Sequence, residues 1–177
     1  MRCRPRVRTR WIYLSAAALV LSATIAPAQP VRAGDRAPEI DLPTLDGGRL
    51  PLSSLRGHPV VVSFWGSWCP PCRDEFPALV RAYQTLGPGG LRVLGVNGRD
   101  QERRTQDVQT FVEAFGVTFS IVLDERGRAR RAYGLLGLPT TVFIDSGGVV
   151  QRVQIGPIDE ATLASGISAI YAPRLGQ

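Results

Sequence analysis

Cys69 and Cys72 stand three apart in the stretch SFWGSWCPPCRDEFP, residues 63–77, and the chain's third cysteine, Cys3, lies at the extreme N-terminus. A CxxC spacing can serve as half of a metal site, as a cross-link, or as a dithiol that exchanges with other disulfides. A structural zinc site wants four ligands, and from Gln29 onward the chain supplies only this pair and a single histidine, His58. A copper site needs soft ligands beyond the pair, and the same region has no methionine. No metal and no other cofactor is therefore expected, with a copper- or zinc-binding module kept as the non-enzymatic alternative. A ring closed across so few residues removes little chain entropy, which makes the pair a poor staple. Reactivity is what remains.

The surrounding pattern says which thiol reacts. PVVVSFWG, 59–66, is a continuous apolar run of strand length, as in a central strand buried on both faces. Residues 70–86 follow with Phe76, Leu79, Val80, Tyr83 and Leu86 at helical spacing, Pro70 and Pro71 in the first turn, and a kink expected at Pro77. The free N–H groups and positive end of a helix N-terminus favour an anion there, and the thiolate is the attacking species in disulfide exchange. Cys69, at or just before the first turn, is accordingly the expected nucleophile. Cys72, one turn on and less exposed, is the expected resolving thiol.

The rest of the chain must position this junction. EIDL and GRLPL, in a turn-rich preamble over 34–58, can pair as a hairpin across TLDGG. LRVLGVN (91–97) and FSIVLD (119–124) read as strands, and residues 105–116 as an amphipathic helix through Val108, Phe111, Val112 and Phe115, ended by Gly116. RARRAYG reads as a short helix, and TTVFID and VVQRVQI as a hairpin around Ser146, Gly147 and Gly148. A last helix carries Leu163, Ile167, Ile170 and Tyr171, with Asp159 as its N-cap. Alternating strands and helices closed by a hairpin predict an α/β fold with a central mixed sheet flanked by helices.

Charge and leader bound the setting. The formal net charge is +6, yet Arg2, Arg4, Arg6, Arg8 and Arg10 carry most of it; from Gln29 onward 16 arginines face 15 acids. So neutral a domain has no general footprint for phosphates, and no nucleic-acid partner is expected. The arginines precede the apolar WIYLSAAALVLSATIA, 11–26, and the small residues Ala26-Pro27-Ala28. Residues 1–28 read as a secretory signal cleaved after Ala28 or as an uncleaved anchor, and 29–177 as one domain. The domain is then expected in the periplasm or on the extracytoplasmic face of the membrane, either soluble after cleavage or held by the leader.

FWGSWCPPCRDEFPAL, together with YGLLGLPTTVFID, resembles the thioredoxin superfamily and, within it, the exported TlpA/ResA-like thiol–disulfide oxidoreductases. The preamble from Gly34 is similar to the N-terminal hairpin that these proteins share with peroxiredoxins. The resemblance implies a thioredoxin-like fold in which 105–124 is a helix–strand insertion. It also implies a redox-active Cys69–Cys72 disulfide and a cis bond before Pro139, with the backbone of Leu138 free to bind an extended substrate segment. Thr140 follows where some members directed to cytochrome c assembly carry Glu. Glu75 matches the family's active-site glutamate; one turn from Cys72, it can relay that thiol's proton. Ser63 stands where thioredoxin has a buried aspartate, which leaves this work to Glu75, while Asp74 serves only the helix dipole. Trp68 and Trp65 shape rim and core.

Pro70 and Pro71 supply neither an N–H nor a charge to hold a thiolate, which points to a reductase of protein disulfides. Its expected partners are disulfide-containing exported proteins, with apocytochrome c among the candidates, and a transmembrane thiol donor of electrons. The enzymatic alternative is a thiol peroxidase. Peroxiredoxins place Thr or Ser three residues before the reactive cysteine and Pro four before that, where Cys69 has Gly66 and Val62 and Cys72 has Cys69 and Trp65.

Overall fold

The apolar run expected to be a central strand, Val60–Trp65 (β3), is buried at every residue in the computed structural model, which describes residues 29–171. The leader expected at 1–28 and the residues 172–177, expected to complete the domain, lie outside the described residues. In chain order the elements are β1 (Asp41–Pro43), β2 (Arg49–Pro51), β3, α1 (Pro70–Leu86), β4 (Arg92–Asn97), α2 (Thr105–Ala114), β5 (Ser120–Leu123), α3 (Arg128–Ala132), β6 (Thr140–Ile144), β7 (Val150–Ile155) and α4 (Glu160–Tyr171). Short 3-10 turns at Leu52–Leu55 and Arg99–Gln101 join them. The main sheet runs β5-β4-β3-β6-β7, with β3, β4 and β5 parallel and β6 antiparallel to β3 and β7. β3 lies at its centre.

Side-chain alternation along β3 divides the interior into two layers. Val61 and Trp65 join α1, α2 and α4 through Phe76, Leu79, Phe111, Leu163 and Ile167. Val60, Val62 and Phe64 face the other way, onto Ala129 and Tyr133 of the α3 segment and onto Ile40, Leu42 and Leu52 of the preamble. The predicted mixed sheet with helices on both faces is present, but three of the four helices among the described residues share one face. The β1–β2 hairpin, a separate two-stranded sheet, contributes Leu42 and Leu50 to the other layer. It is anchored by Leu45 N donating to Ile121 O (2.9 Å) and by the Tyr133 hydroxyl donating to Pro38 O (2.8 Å).

Element ends differ from the sequence expectation by one or two residues. α2 stops at Ala114, and Gly116 turns the chain at φ +60°. The helix at 70–86 runs as a single element through Pro77. Asp159 Oδ1 accepts from Thr162 N (2.7 Å), the N-cap contact expected for α4. Two members of the expected apolar stripes are exposed, Leu86 and Tyr171. Each is the last residue of its helix, where the stripe has run past the core. Among the described residues no helix is long and apolar enough to cross a membrane.

Candidate active site

β3 ends at Trp65, and a tight turn, closed by Cys69 N donating to Gly66 O (3.1 Å), carries the chain into α1. Cys69 is the N-cap, in extended backbone (φ −90°, ψ 106°), and Pro70 and Pro71 open the helix. Proline has no N–H, so the first donors of α1 belong to Cys72 and Arg73. Arg73 N donates to Cys69 O (3.2 Å), while Cys72 N is shared between Cys69 O (3.1 Å) and Cys69 Sγ (3.3 Å). The Cys69 sulfur thus holds one shared backbone donor. Cys69 and Cys72 are joined in a disulfide (Sγ–Sγ 2.07 Å), and both are buried.

One turn further on, Glu75 is 1% exposed, whereas Asp74 beside it points to solvent. Ser63 lies on the α1 face of β3, by the alternation that places Val61 and Trp65 there. Its Oγ donates to Glu75 Oε1 (3.2 Å), and Ile158 N, from the loop before α4, donates to Oε2 (3.3 Å). These two bonds pull the carboxyl pKa down, but desolvation outweighs them and pushes it up from 4.5 to about 7. A carboxyl titrating near neutrality can both accept and return a proton. Ser63 does not replace the aspartate of thioredoxin as a base; it is a hydrogen-bond partner of the carboxyl that remains.

The Leu138–Pro139 peptide bond is cis. Phe64 pairs with Thr140, so Pro139 adjoins Trp65 at the sheet end from which the CxxC turn departs. Leu138 packs against the core cluster that contains both cysteines. Thr140 is buried, and its Oγ1 donates to Gly137 O (2.8 Å), closing the turn ahead of the cis bond. Around this junction the surface is apolar: Trp68 is 51% exposed, Leu136 75% and Ile155, the strand partner of Thr140, 54%. Beneath it the Trp65 ring packs on Phe76 and Phe111, with centroids 4.7 and 4.5 Å away. The fold therefore gathers Cys69, Cys72, Glu75, Trp68, Leu138, Pro139 and Thr140 at one end of the sheet. Among the described residues no group of three or more His, Cys, Asp or Glu side chains is placed to hold a metal ion.

A second buried carboxylate here was not anticipated. Glu102, in the loop after β4, accepts from Ser67 N (2.6 Å), Ser67 Oγ (2.6 Å) and Asn97 Nδ2 (2.8 Å). The available signal was its position: sites in α/β folds gather at the carboxyl ends of parallel strands, and Glu102 follows β4, the parallel neighbour of β3.

The AhpC/TSA family model matches residues 33–153. The thiol-disulfide oxidoreductase ResA of Geobacillus thermodenitrificans is 34% identical over 140 residues, 79% of each chain. ResA of Bacillus subtilis is 33% identical over 144 residues, 81% of this chain and 79% of the relative. Among solved structures, StoA from Bacillus subtilis has a TM-score of 0.64 at 28% identity, covering 73% of this chain and 96% of its own. A thioredoxin-family thiol:disulfide interchange protein from Chlorobium tepidum has a TM-score of 0.68 at 28% identity, covering 80% and 99%. A fold, a CxxC turn and relatives that agree at this level show that the chain belongs to the AhpC/TSA family and, within the thioredoxin superfamily, to the ResA-like thiol–disulfide oxidoreductases.

Proposed function

We propose that this oxidoreductase is an exported reductase of protein disulfides, with Cys69 as the attacking thiol, Cys72 as the resolving thiol and Glu75 as the proton relay. The observation that carries the reading is the Cys69–Cys72 disulfide at the N-cap of α1, one turn from a buried carboxyl whose pKa is about 7. In the reduced protein the Cys69 thiolate attacks one sulfur of the substrate disulfide. That S–S bond breaks, and the departing substrate thiolate takes a proton from solvent. The Cys72 thiol then gives its proton to Glu75 and attacks Cys69 Sγ, releasing the second substrate thiolate, which is protonated in turn. The substrate has gained two electrons and two protons, and the Cys69–Cys72 disulfide has formed. A transmembrane thiol carrier supplies the electrons that reopen it.

The direction rests on how poorly the turn holds a thiolate. With Pro70 and Pro71 giving no donor and Arg73 N turned to Cys69 O, one shared N–H reaches the sulfur. A less stabilised thiolate makes the disulfide harder to reduce and the dithiol a better reductant. The apolar rim of Trp68, Leu136 and Ile155, beside the backbone of Leu138, suits an extended, partly apolar segment of an exported protein. Export rests on the leader pattern at 1–28.

Trapping tests the roles. With Cys72→Ser in the full chain, envelope proteins should remain disulfide-linked to Cys69, and reduction should release them. Linkage through Cys3 alone, or none, refutes the assignment. A redox titration should place the pair at about −200 mV or lower, and a value near −120 mV, that of a strong oxidant, refutes the direction.

A further inference from the structure

Glu102 is nearly fully buried and lies next to the CxxC turn, yet the exchange steps above do not use it. Its carboxylate has no ion pair among the described residues. Of the neighbouring cations, Arg103 is exposed, Arg104 pairs with Asp107, and Arg99 donates instead to the Glu102 backbone O (3.2 Å) and to Thr105 Oγ1 (2.9 Å). Nor does it cap α2, which begins three residues later. All three of its hydrogen bonds are accepted from elsewhere. Oε1 takes Ser67 N and Asn97 Nδ2, and Oε2 takes Ser67 Oγ. Both donors of Ser67 are thus held by one carboxylate, at the first central position of the turn whose ends are Gly66 and Cys69.

Asn97 makes the clamp rigid. It is the last residue of β4 and the register partner of Trp65, the last residue of β3. Gly98 N also donates to Trp65 O (2.9 Å), so the ends of both strands form one unit. Glu102 is bound to that unit through Asn97 and to the turn through Ser67. Within the turn Ser67 gives this carboxylate both its backbone N–H and its hydroxyl, while Cys69 N is taken by Gly66 O. Charge-assisted bonds of 2.6–2.8 Å are among the stronger hydrogen bonds.

We propose that Glu102 is a positioning residue for disulfide exchange, aiming Cys69 and Trp68 by fixing Ser67 against the ends of β3 and β4. Resting on Cys69 as the attacking thiol, this adds to that reading a carboxylate, from 33 positions further along the chain, that never touches the sulfurs. A displaced nucleophile loses rate steeply, because exchange needs the attacking sulfur in line with the bond it breaks.

The test uses the reduced full chain and measures the rate constant for reduction of insulin disulfides under single-turnover conditions. Glu102→Ala removes the clamp and should slow the reaction about tenfold, within the range expected for a misplaced catalytic group. Glu102→Gln should restore most of the rate. Its carbonyl oxygen at the Oε1 position keeps both N–H donors, and its amide can donate to Ser67 Oγ. Ser67→Ala removes one of the three bonds and should slow reduction less. The Ser67→Ala/Glu102→Ala double variant should be no slower than Glu102→Ala alone, since both act through one contact. Urea unfolding of each variant separates lost folding from lost aim, and Ser67→Ala, a change in a turn, carries the test if Glu102→Ala fails to fold. A Glu102→Ala rate equal to wild type, a Gln variant as slow as Ala, or losses that multiply in the double variant each overturn the proposal. Failure of the wild-type chain to reduce insulin would instead overturn the reductase reading on which it rests.

Discussion

Replacing Glu75 by Gln should change how stability depends on pH, and the sign follows from burial. The carboxyl is 1% exposed and held by Ser63 Oγ and Ile158 N, and its pKa is raised from 4.5 to about 7. Below the lower value both folded and unfolded chains are protonated, and Glu75 carries no penalty. Between the two values the unfolded chain has lost a proton that the folded chain retains, so stability falls as pH rises; above about 7 the full penalty applies. A shift of roughly two and a half units corresponds to about 3 kcal/mol. Gln can keep both contacts, its carbonyl accepting from Ile158 N and its amide donating to Ser63 Oγ, while never ionising. The wild-type stability minus that of Glu75→Gln should therefore fall by about 3 kcal/mol between about pH 4 and about pH 8. With the disulfide intact, urea unfolding at each pH measures it, as a relative midpoint change of roughly 1–3 M for a slope of about 1–3 kcal/mol/M. Titrations common to both chains cancel in the difference. A difference that stays flat across this range would refute the buried, proton-holding Glu75 and, with it, the relay. In exchange assays the same variant should resolve mixed disulfides at least about a hundredfold more slowly, the contribution expected of a positioned acid–base group.

Pro71→His should place a charge-stabilising donor beside Cys69 and raise the redox potential by tens of millivolts, roughly 30 mV per 1.4 kcal/mol of added thiolate stabilisation; equilibration with glutathione reads this, and an unchanged or lower value counts against the account of direction. Thr141 is fully buried in β6, on the Phe143 face, and its Oγ1 has no hydrogen-bond partner. Thr141→Val should therefore stabilise by about 1–2 kcal/mol in urea unfolding, the cost of burying a lone hydroxyl. A Cβ at Gly166 of α4 would lie 2.3–2.6 Å from atoms of the Phe143 ring. Gly166→Ala gains about 1 kcal/mol of helix propensity but loses roughly 1–3 kcal/mol to overpacking, so net destabilisation is expected by thermal unfolding.

Much of the site could be read along the chain because it is local. A continuous apolar run, a CxxC and two prolines at a helix start define the junction from Val60 to Cys72, since each property depends on near neighbours. The preamble hairpin and the Asp159 cap were legible for the same reason. The stripe ends Leu86 and Tyr171 were misplaced because periodicity says which face a residue occupies, not how far the partner surface extends.

By itself, then, the sequence determined which sulfurs could react, which of them leads α1, and which fold carries them; spacing and hydrophobic period are written into consecutive residues. The tertiary structure alone decided the environment of the carboxylates. Glu75 and Asp74 are neighbours in one helix turn, yet only Glu75 meets Ser63 and Ile158 in a desolvated site, and only there does its proton stay bound near neutrality. Glu102 reaches Ser67 across 35 positions because β3 and β4 end side by side. Burial and hydrogen bonding between segments distant in sequence set these properties, and they exist only once the sheet has brought the segments together.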